Sequence, residues 1–171
     1  MNINWNDPNF QGFGRSREPR QPRERKAVGT PLGRTLLNIA VTLVFAAVYY
    51  VQYAHARICT LLKNLAAEGY AVPKAAEADL SVLTGEEEKA LIKQLAQYPA
   101  VVLLAARDYD PSFINRYLSE LAAAFHKFYN ACRIKGEAEN VLLARLKLAD
   151  TARAVLKNGM TLIGCSAPEK M

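Results

Sequence analysis

The chain contains few of the residues from which metal centres and disulfide frameworks are built. Its 171 residues include three cysteines and two histidines. Cys59, Cys132 and Cys165 are odd in number, widely spaced and without a CxxC pair. We therefore expect reduced, partly buried thiols in a cytosolic domain, with no metal site and no disulfide.

Signatures of catalysis are also missing from the sequence. There is no glycine-rich phosphate loop, no Walker motif and no alternation of strand and helix patterns. No serine, cysteine or carboxylate stands at a spacing that would form a triad with His55 or His126. The acidic run at residues 86–88 falls at a predicted helix start, where solvated carboxylates interact favourably with the positive end of the helix dipole. We predict no catalytic residue.

Positive charge is in excess and unevenly distributed. The net charge is +6 at pH 7, with a pI near 9.3, which favours a polyanionic partner, either nucleic acid or an anionic membrane surface. Residues 1–34 hold seven basic and three acidic side chains. Residues 1–31 are rich in Asn, Gly, Pro and Arg and contain no apolar run, so we predict a disordered basic tail.

One long apolar run follows this tail. Residues 35–54 are uncharged, and about 20 mostly apolar residues suffice to cross a bilayer. The basic residues before the run and the tyrosines at its far end also suit a membrane helix. We predict an apolar helix over residues 32–47, and a membrane contact through residues 32–54 stays open as one interpretation.

From residue 48 onward the apolar residues recur at spacings of three and four, the period of a helix packed on one face. The first such stripe consists of Val51, Ala54, Ile58, Leu62 and Leu65. Gly69 and Pro73 are predicted to end this helix. Nothing at Phe45, Ala46 or Ala47 interrupts a helix, so we predict one continuous helix from about Leu32 to Ala67.

Cap signals predict where the next helices begin. Thr84 and Glu87 match a capping box for a helix that runs to about Gln97, and Pro99 suits the first turn of the helix after it. Asp110 is predicted to cap a further helix, with Pro111 as its first residue. The buried stripe of that helix is Ile114, Leu118, Leu121, Phe125, Phe128 and Cys132.

A last long helix completes the pattern. Asn158 and Gly159 are predicted to stop it. Its stripe is Val141, Ala144, Leu148, Ala152 and Val155. With no strand pattern in the sequence, we predict an all-α bundle of four to five helices over residues 48–171.

Three motifs in this helical region resemble a known family. They are VYYVQYAHARIC from residue 48, YLSELAAAFHKFYNACRI from residue 117, and ARLKLADTARAVLKNGMTLIGCSAPEKM from residue 144. In this order they resemble the carboxy-terminal domain of arginyl-tRNA synthetase, an anticodon-binding bundle of the DALR type, over residues 48–171. The resemblance implies binding of the anticodon arm of arginine tRNA in the cytoplasm.

The resemblance also implies which residues touch the RNA. Tyr50, Tyr53 and Arg57 are spaced to share one helical face, on which aromatic rings can stack on unpaired bases and an arginine can meet phosphate or a base edge. By resemblance Tyr129 and Met171 join this surface. Asn130 and Arg133 are further candidates from the same motif.

The catalytic half of such a synthetase has no counterpart in the sequence. The HIGH and KMSKS-type signatures of the family are missing, and the 47 residues before the match are too few for a nucleotide-binding fold. We therefore expect no ATP or arginine site and no aminoacylation by this chain alone, although a separate catalytic chain can be its partner.

The resemblance begins at residue 48, directly after Ala46 and Ala47 of the apolar helix. This junction leaves an alternative function open. The chain can instead be a single-span, membrane-anchored protein whose helical domain is a scaffold, or a remnant of a gene fusion. Seven basic residues before the span would then keep the amino terminus in the cytoplasm and place the bundle outside it, away from tRNA.

Overall fold

The protein is described here by a computed structural model that covers residues 31–74 and 76–171. This part of the chain is all-α, which confirms the predicted fold class, and the predicted tail lies outside it except for Pro31. The chain divides into two compact units after Leu37, and the second unit, residues 38–171, contains the bundle. The five α-helices are α1 (Pro31–Ala67), α2 (Glu86–Ala96), α3 (Tyr98–Asp108), α4 (Ser112–Ala131) and α5 (Glu139–Leu162).

Helix α1 is continuous, as the sequence predicts. It ends at Ala67 because Gly69 takes a positive φ of 94° that side chains disfavour. The chain reverses direction at Gly69, and two backbone amides then bond to carbonyls of the last turn. Tyr70 donates to the Leu65 carbonyl at 3.0 Å, and Gly69 donates to the Ala66 carbonyl at 3.1 Å. This is a Schellman motif, and its two bonds provide donors for the carbonyls of Leu65 and Ala66.

The two halves of α1 have different surroundings. Its large apolar side chains from Leu32 to Phe45 are all exposed. From Val51 onward the predicted stripe faces the core, and Ala54, Ile58 and Leu65 are completely buried. By length and composition α1 can cross a membrane, although a single helix of this kind is also found in soluble proteins and signal sequences.

The core of the bundle lies around α4. All six residues of its predicted stripe are buried, because the three-four spacing keeps them on one side for five turns. Helices α2, α3 and α5 pack against this helix. The largest completely buried side chains include Phe125, Phe128, Leu121, Leu91 and Leu156.

Two predicted helix starts are displaced by one residue. Helix α2 begins after Gly85, whose amide donates to Glu88 Oε2 at 2.8 Å, so the capping pair is Gly85 with Glu88 and the prediction of Thr84 with Glu87 is wrong. Helix α4 begins at Ser112 instead of Pro111. Asp110 still serves this end of the helix, since its Oδ1 accepts the Ser112 amide at 2.8 Å.

The prediction that Asn158 and Gly159 stop the last helix is wrong. Helix α5 continues to Leu162, and Gly159 is buried inside it. A Cβ on Gly159 would lie 2.5 Å from Leu118 Cδ2, so the glycine is required for close approach to α4. The chain turns away from the helix after Leu162, where Gly164 takes a φ of 74° and Cys165 donates to the Met160 carbonyl at 2.8 Å.

The sequence suggested that all three carboxylates at the start of α2 are solvated. The structure shows that one of them is not. Glu86 and Glu87 are exposed, but Glu88 is 1% exposed. Its carboxylate pairs with Arg145 of α5, with Oε1 2.6 Å from Arg145 Nε. A buried carboxylate needs such partners, so Glu88 belongs to the interior of the bundle.

Candidate RNA-binding surface

The second half of α1 presents aromatic and basic side chains beside its buried stripe. Tyr50 and Tyr53 are 38% and 43% exposed, while Val51 and Ala54, the residues directly after them, face the core. The tyrosines are thus carried by a helix that is anchored on its opposite side. Arg57 continues the same face one turn further on and is half-buried.

The end of α4 completes this surface. The Arg57 guanidinium carbon lies 4.4 Å from the centre of the Tyr129 ring, which is a cation–π arrangement. The Tyr129 ring in turn packs on Phe125 of the core, with 5.9 Å between ring centres. Arg57 is therefore held in place by a ring that is itself fixed.

A histidine joins the two tyrosines of α1. The His126 ring lies 5.3 Å from that of Tyr50 and 6.1 Å from that of Tyr53. Burial, and secondarily the charge of Arg57, lowers the pKa of His126. The imidazole is therefore neutral at pH 7, and the three rings form one continuous aromatic surface.

An open groove of about 880 Å³ lies between this face of α1 and the segment after α4. Five of the seven predicted site residues line it: Tyr53, Arg57, Tyr129, Arg133 and Met171. Tyr50 is outside the groove, and the His126 ring lies between it and Tyr53 of the groove wall. Asn130 is exposed near the end of α4 and does not line the groove. The groove therefore brings together five of the predicted residues and leaves Tyr50 and Asn130 outside.

Sequence reasoning missed several residues of the groove. The missed polar lining residues are Thr60, Asn64, Lys135 and Lys170. Lys135 directly follows the motif that ends at Ile134, and Lys170 precedes Met171, but their local sequence does not show which surface they face. Lys135 also forms an ion pair with Glu68 at the end of α1.

The groove is positively charged. Arg57, Arg133, Lys135 and Lys170 line it, and no aspartate or glutamate is among its lining residues. Apolar and aromatic side chains, together with Thr60 and Asn64, form the remainder of its wall. Such a groove suits a ligand that combines negative charge with flat unsaturated rings.

The last residues of the chain are fixed to α1 by two side chains. Gln52 Nε2 donates to the Ser166 carbonyl at 2.9 Å, and His55 Nδ1 lies 2.9 Å from the Pro168 carbonyl. His55 is 1% exposed, and burial lowers its pKa, so its neutral ring donates through Nδ1–H. These bonds place Met171 in the groove.

The described residues hold no cluster of three or more His, Cys, Asp or Glu side chains that could bind a metal ion. Their three cysteines are free, and Cys132 is buried. Burial raises the pKa of Cys59 and of Cys132, so these thiols are protonated at pH 7.

Curated relatives of the chain are arginine–tRNA ligases. The chain is 48% identical over 124 residues to that of Acetivibrio thermocellus and 46% identical over 124 residues to that of Bordetella pertussis. In each case the match covers 72% of the chain and 22% of the relative. The chain therefore spans about a fifth of the length of these relatives.

Solved structures show the same similarity in three dimensions. The bundle matches the arginyl-tRNA synthetase of Thermus thermophilus with a TM-score of 0.62 and 32% identity, covering 71% of the chain and 21% of that protein. It matches a putative arginyl-tRNA synthetase of Campylobacter jejuni with a TM-score of 0.64 and 34% identity, covering 73% and 26%. Residues 51–171 match the family model of the DALR anticodon binding domain. The chain belongs to the DALR anticodon-binding domain family.

Proposed function

We propose that the bundle binds the anticodon arm of arginine tRNA through the groove between α1 and the segment after α4. The observation that carries this proposal is that one basic groove, without acidic lining residues, brings together five of the seven residues singled out from the sequence. Membership of the DALR family supports an anticodon as the ligand. The relatives named above act on the arginine tRNA.

The groove supplies two kinds of contact that suit an unpaired RNA loop. The exposed edge of Tyr53 and the ring of Tyr129 offer flat surfaces on which anticodon bases can stack. Around them Arg57, Arg133 and the two lysines offer charge to the backbone phosphates. Stacking tolerates any base, so sequence preference must come from polar contacts to base edges, for which Asn64 and Arg133 are suitably exposed.

The role we propose is binding without chemistry by this chain alone. The described residues supply no cluster for a metal, and the sequence has neither synthetase signature. Aminoacylation would require a catalytic chain that the bundle joins in the cytoplasm. ATP–pyrophosphate exchange with arginine, measured on the purified chain, should remain at background, and measurable exchange would contradict this part of the proposal.

Titration of the purified chain with arginine tRNA and with an unrelated tRNA tests the proposal. We expect tighter binding of arginine tRNA in moderate salt. If all four basic side chains of the groove meet phosphates, the logarithm of the affinity falls with the logarithm of salt concentration with a slope of about −3. Equal affinity for both tRNAs at every salt concentration would reject specific recognition.

Tyr53→Ala tests the stacking surface directly. Removing a ring that stacks on a base costs about 1–3 kcal/mol of binding free energy. Tyr109→Asn is the matched control, because Tyr109 is 93% exposed at the end of α3 and its positive φ of 52° is one that asparagine accepts. Unchanged affinity in Tyr53→Ala would place this ring outside the interface.

A second candidate function is attachment to a membrane through the start of α1. The observation that favours it is the exposure of Leu43, Val44 and Phe45 at 64%, 64% and 71%. The helix packs into the bundle from Val51, and the uncharged exposed part, residues 35–47, is only about 20 Å long. A hydrocarbon core is about 30 Å thick, so partial insertion fits the folded bundle better than a span.

Flotation with vesicles of anionic and neutral phospholipid tests this candidate. Phe45→Asp should abolish flotation, while Leu103→Asp, which alters a side chain on α3 that is also 71% exposed, should not. A chain that fails to float with vesicles of either composition would exclude attachment to lipid.

A further inference from the structure

The most buried ion pair among the described residues lies behind the groove. Arg145 of α5 and Glu88 of α2 have side chains that are 15% and 2% exposed. Both oxygens of Glu88 are used: Oε1 lies 2.6 Å from Arg145 Nε, and Oε2 accepts the Gly85 amide at 2.8 Å. The carboxylate therefore has no freedom to turn away from Arg145.

The guanidinium has a second contact, which reaches the groove. Its Nη1 donates to the backbone carbonyl of Arg133 and lies 3.5 Å from Glu137 Oε1. Both residues belong to the segment between α4 and α5, residues 132–138. Burial opposes the charge of Arg145, but the hydrogen bond and charge of Glu88 outweigh it and raise the pKa of Arg145. Arg145 thus stays charged and joins α2, α5 and this segment.

The held segment carries half of the basic charge of the groove. Cys132 and Ile134 are buried, and Arg133 and Lys135 alternate with them and are exposed in the groove. The segment is not part of a helix, so its own backbone bonds do not fix it. The direction in which Arg133 and Lys135 point depends on the backbone around the buried Cys132 and Ile134. The Arg133 carbonyl, to which Arg145 donates, is part of this backbone.

We propose that Arg145, held by Glu88, is a positioning residue that fixes the backbone of residues 132–138 and so directs Arg133 and Lys135 towards the phosphates of the bound RNA. The inference rests on the proposed tRNA binding. Its physical basis is preorganisation: a segment that is already ordered loses less conformational entropy when the RNA binds.

Arg145→Lys and Glu88→Gln are the variants that test it. Lysine keeps the positive charge but cannot reach both Glu88 and the Arg133 carbonyl with a rigid fork. Glutamine keeps the shape of Glu88 and one acceptor oxygen. Arg153→Lys is the matched control, because Arg153 is a half-buried arginine of α5 that pairs with Asp150 at 2.7 Å and does not line the groove.

Two measurements separate positioning from general stability. Hydrogen exchange of the free protein should become faster at residues 132–138 in Arg145→Lys and Glu88→Gln, while the amides of α4 keep their protection. Arginine tRNA should bind about tenfold more weakly, with a salt slope reduced by about 0.7 to 1.4, the value of one or two lost phosphate contacts. The Arg153→Lys control should change neither quantity.

A double-variant comparison makes the outcome decisive. In a chain that already carries Arg133→Ala and Lys135→Ala, adding Arg145→Lys should cause no further loss of affinity. A further tenfold loss there, or an unchanged salt slope in Arg145→Lys itself, would overturn the inference and leave Arg145 a residue of the core only. If the unmodified chain does not prefer arginine tRNA, the proposed function fails first and the inference falls with it.

Discussion

Replacing Gly159 by alanine measures how closely α5 approaches α4. Gly159 lies in the middle of a helical turn, where alanine is the better helix former by about 1 kcal/mol. In solvent this exchange would stabilise the protein. Here the new Cβ would stand 2.5 Å from Leu118 Cδ2 and 3.2 Å from Leu118 Cγ, so Leu118 must move by about 1 Å to restore ordinary contact.

The cost of that movement decides the sign of the effect. Leu118 is 2% exposed, and overpacking a core by one methyl typically costs about 1–3 kcal/mol. Leu118 also borders a cavity of about 160 Å³ lined by Val48, Val51 and Met160, which gives it some room. We therefore expect a cost of about 2 kcal/mol, partly offset by helix propensity, and a net destabilisation of about 1 kcal/mol.

Urea denaturation followed by circular dichroism is a suitable assay, with a constant m-value to confirm that only stability has changed. Asn158→Ala is the control for helix propensity, because Asn158 is the exposed neighbour of Gly159 in α5. It should stabilise the chain by about 0.5 kcal/mol. Stabilisation by Gly159→Ala of the size expected in solvent would refute the close approach of the two helices.

Three further predictions concern the stability of the bundle. Glu88→Ala should destabilise the fold by about 3–5 kcal/mol, because it leaves Arg145 buried without its partner, and urea denaturation against Glu87→Ala as an exposed control measures this. Burial lowers the pKa of His55, so below about pH 6.5 the unfolded chain binds the proton more readily than the folded chain. The contribution of neutral His55 to the free energy of unfolding should therefore be fully present above about pH 6.5 and decrease as the pH falls below it. His55→Asn should flatten this pH dependence in denaturation curves at pH 7.5 and 5.5. Asp110→Ala should lower the stability of the fold by removing the acceptor of the Ser112 amide, whereas unchanged stability would show that water replaces it.

Local patterns predicted most of the fold. The stripe in α4 was readable because helix geometry repeats every 3.6 residues, and a buried face must repeat with it. The continuous course of α1 was readable for a related reason, since no residue near Ala46 breaks a helix. At Thr84 and Asp110 the signals were correct in kind but displaced by one residue, because neighbouring residues compete for the same cap.

The candidate site was only partly readable. Tyr53 and Arg57 lie one turn apart on the same helix, so the sequence could place them together. The contact of Arg57 with Tyr129 joins residues from α1 and α4, and it was reached through resemblance to a family. Lys135 and Lys170 were missed, since nothing in their local sequence reveals which surface they face.

The sequence by itself determined the helical class, the buried face of α4 and the excess of positive charge, because these depend on residue type and on spacing along the chain. The buried face of α5 was predicted only in part, since Val141 and Val155 are half-buried while Leu142, Leu146 and Leu156 are buried. Only the tertiary structure decided the roles of Gly159 and Glu88. Both look like local signals, a helix stop and a solvated charge. The role of Gly159 is instead set by Leu118 of α4, and that of Glu88 by Arg145 of α5. Which residues of different helices come into contact depends on how the helices pack, and the spacing of residues within one helix does not reveal it.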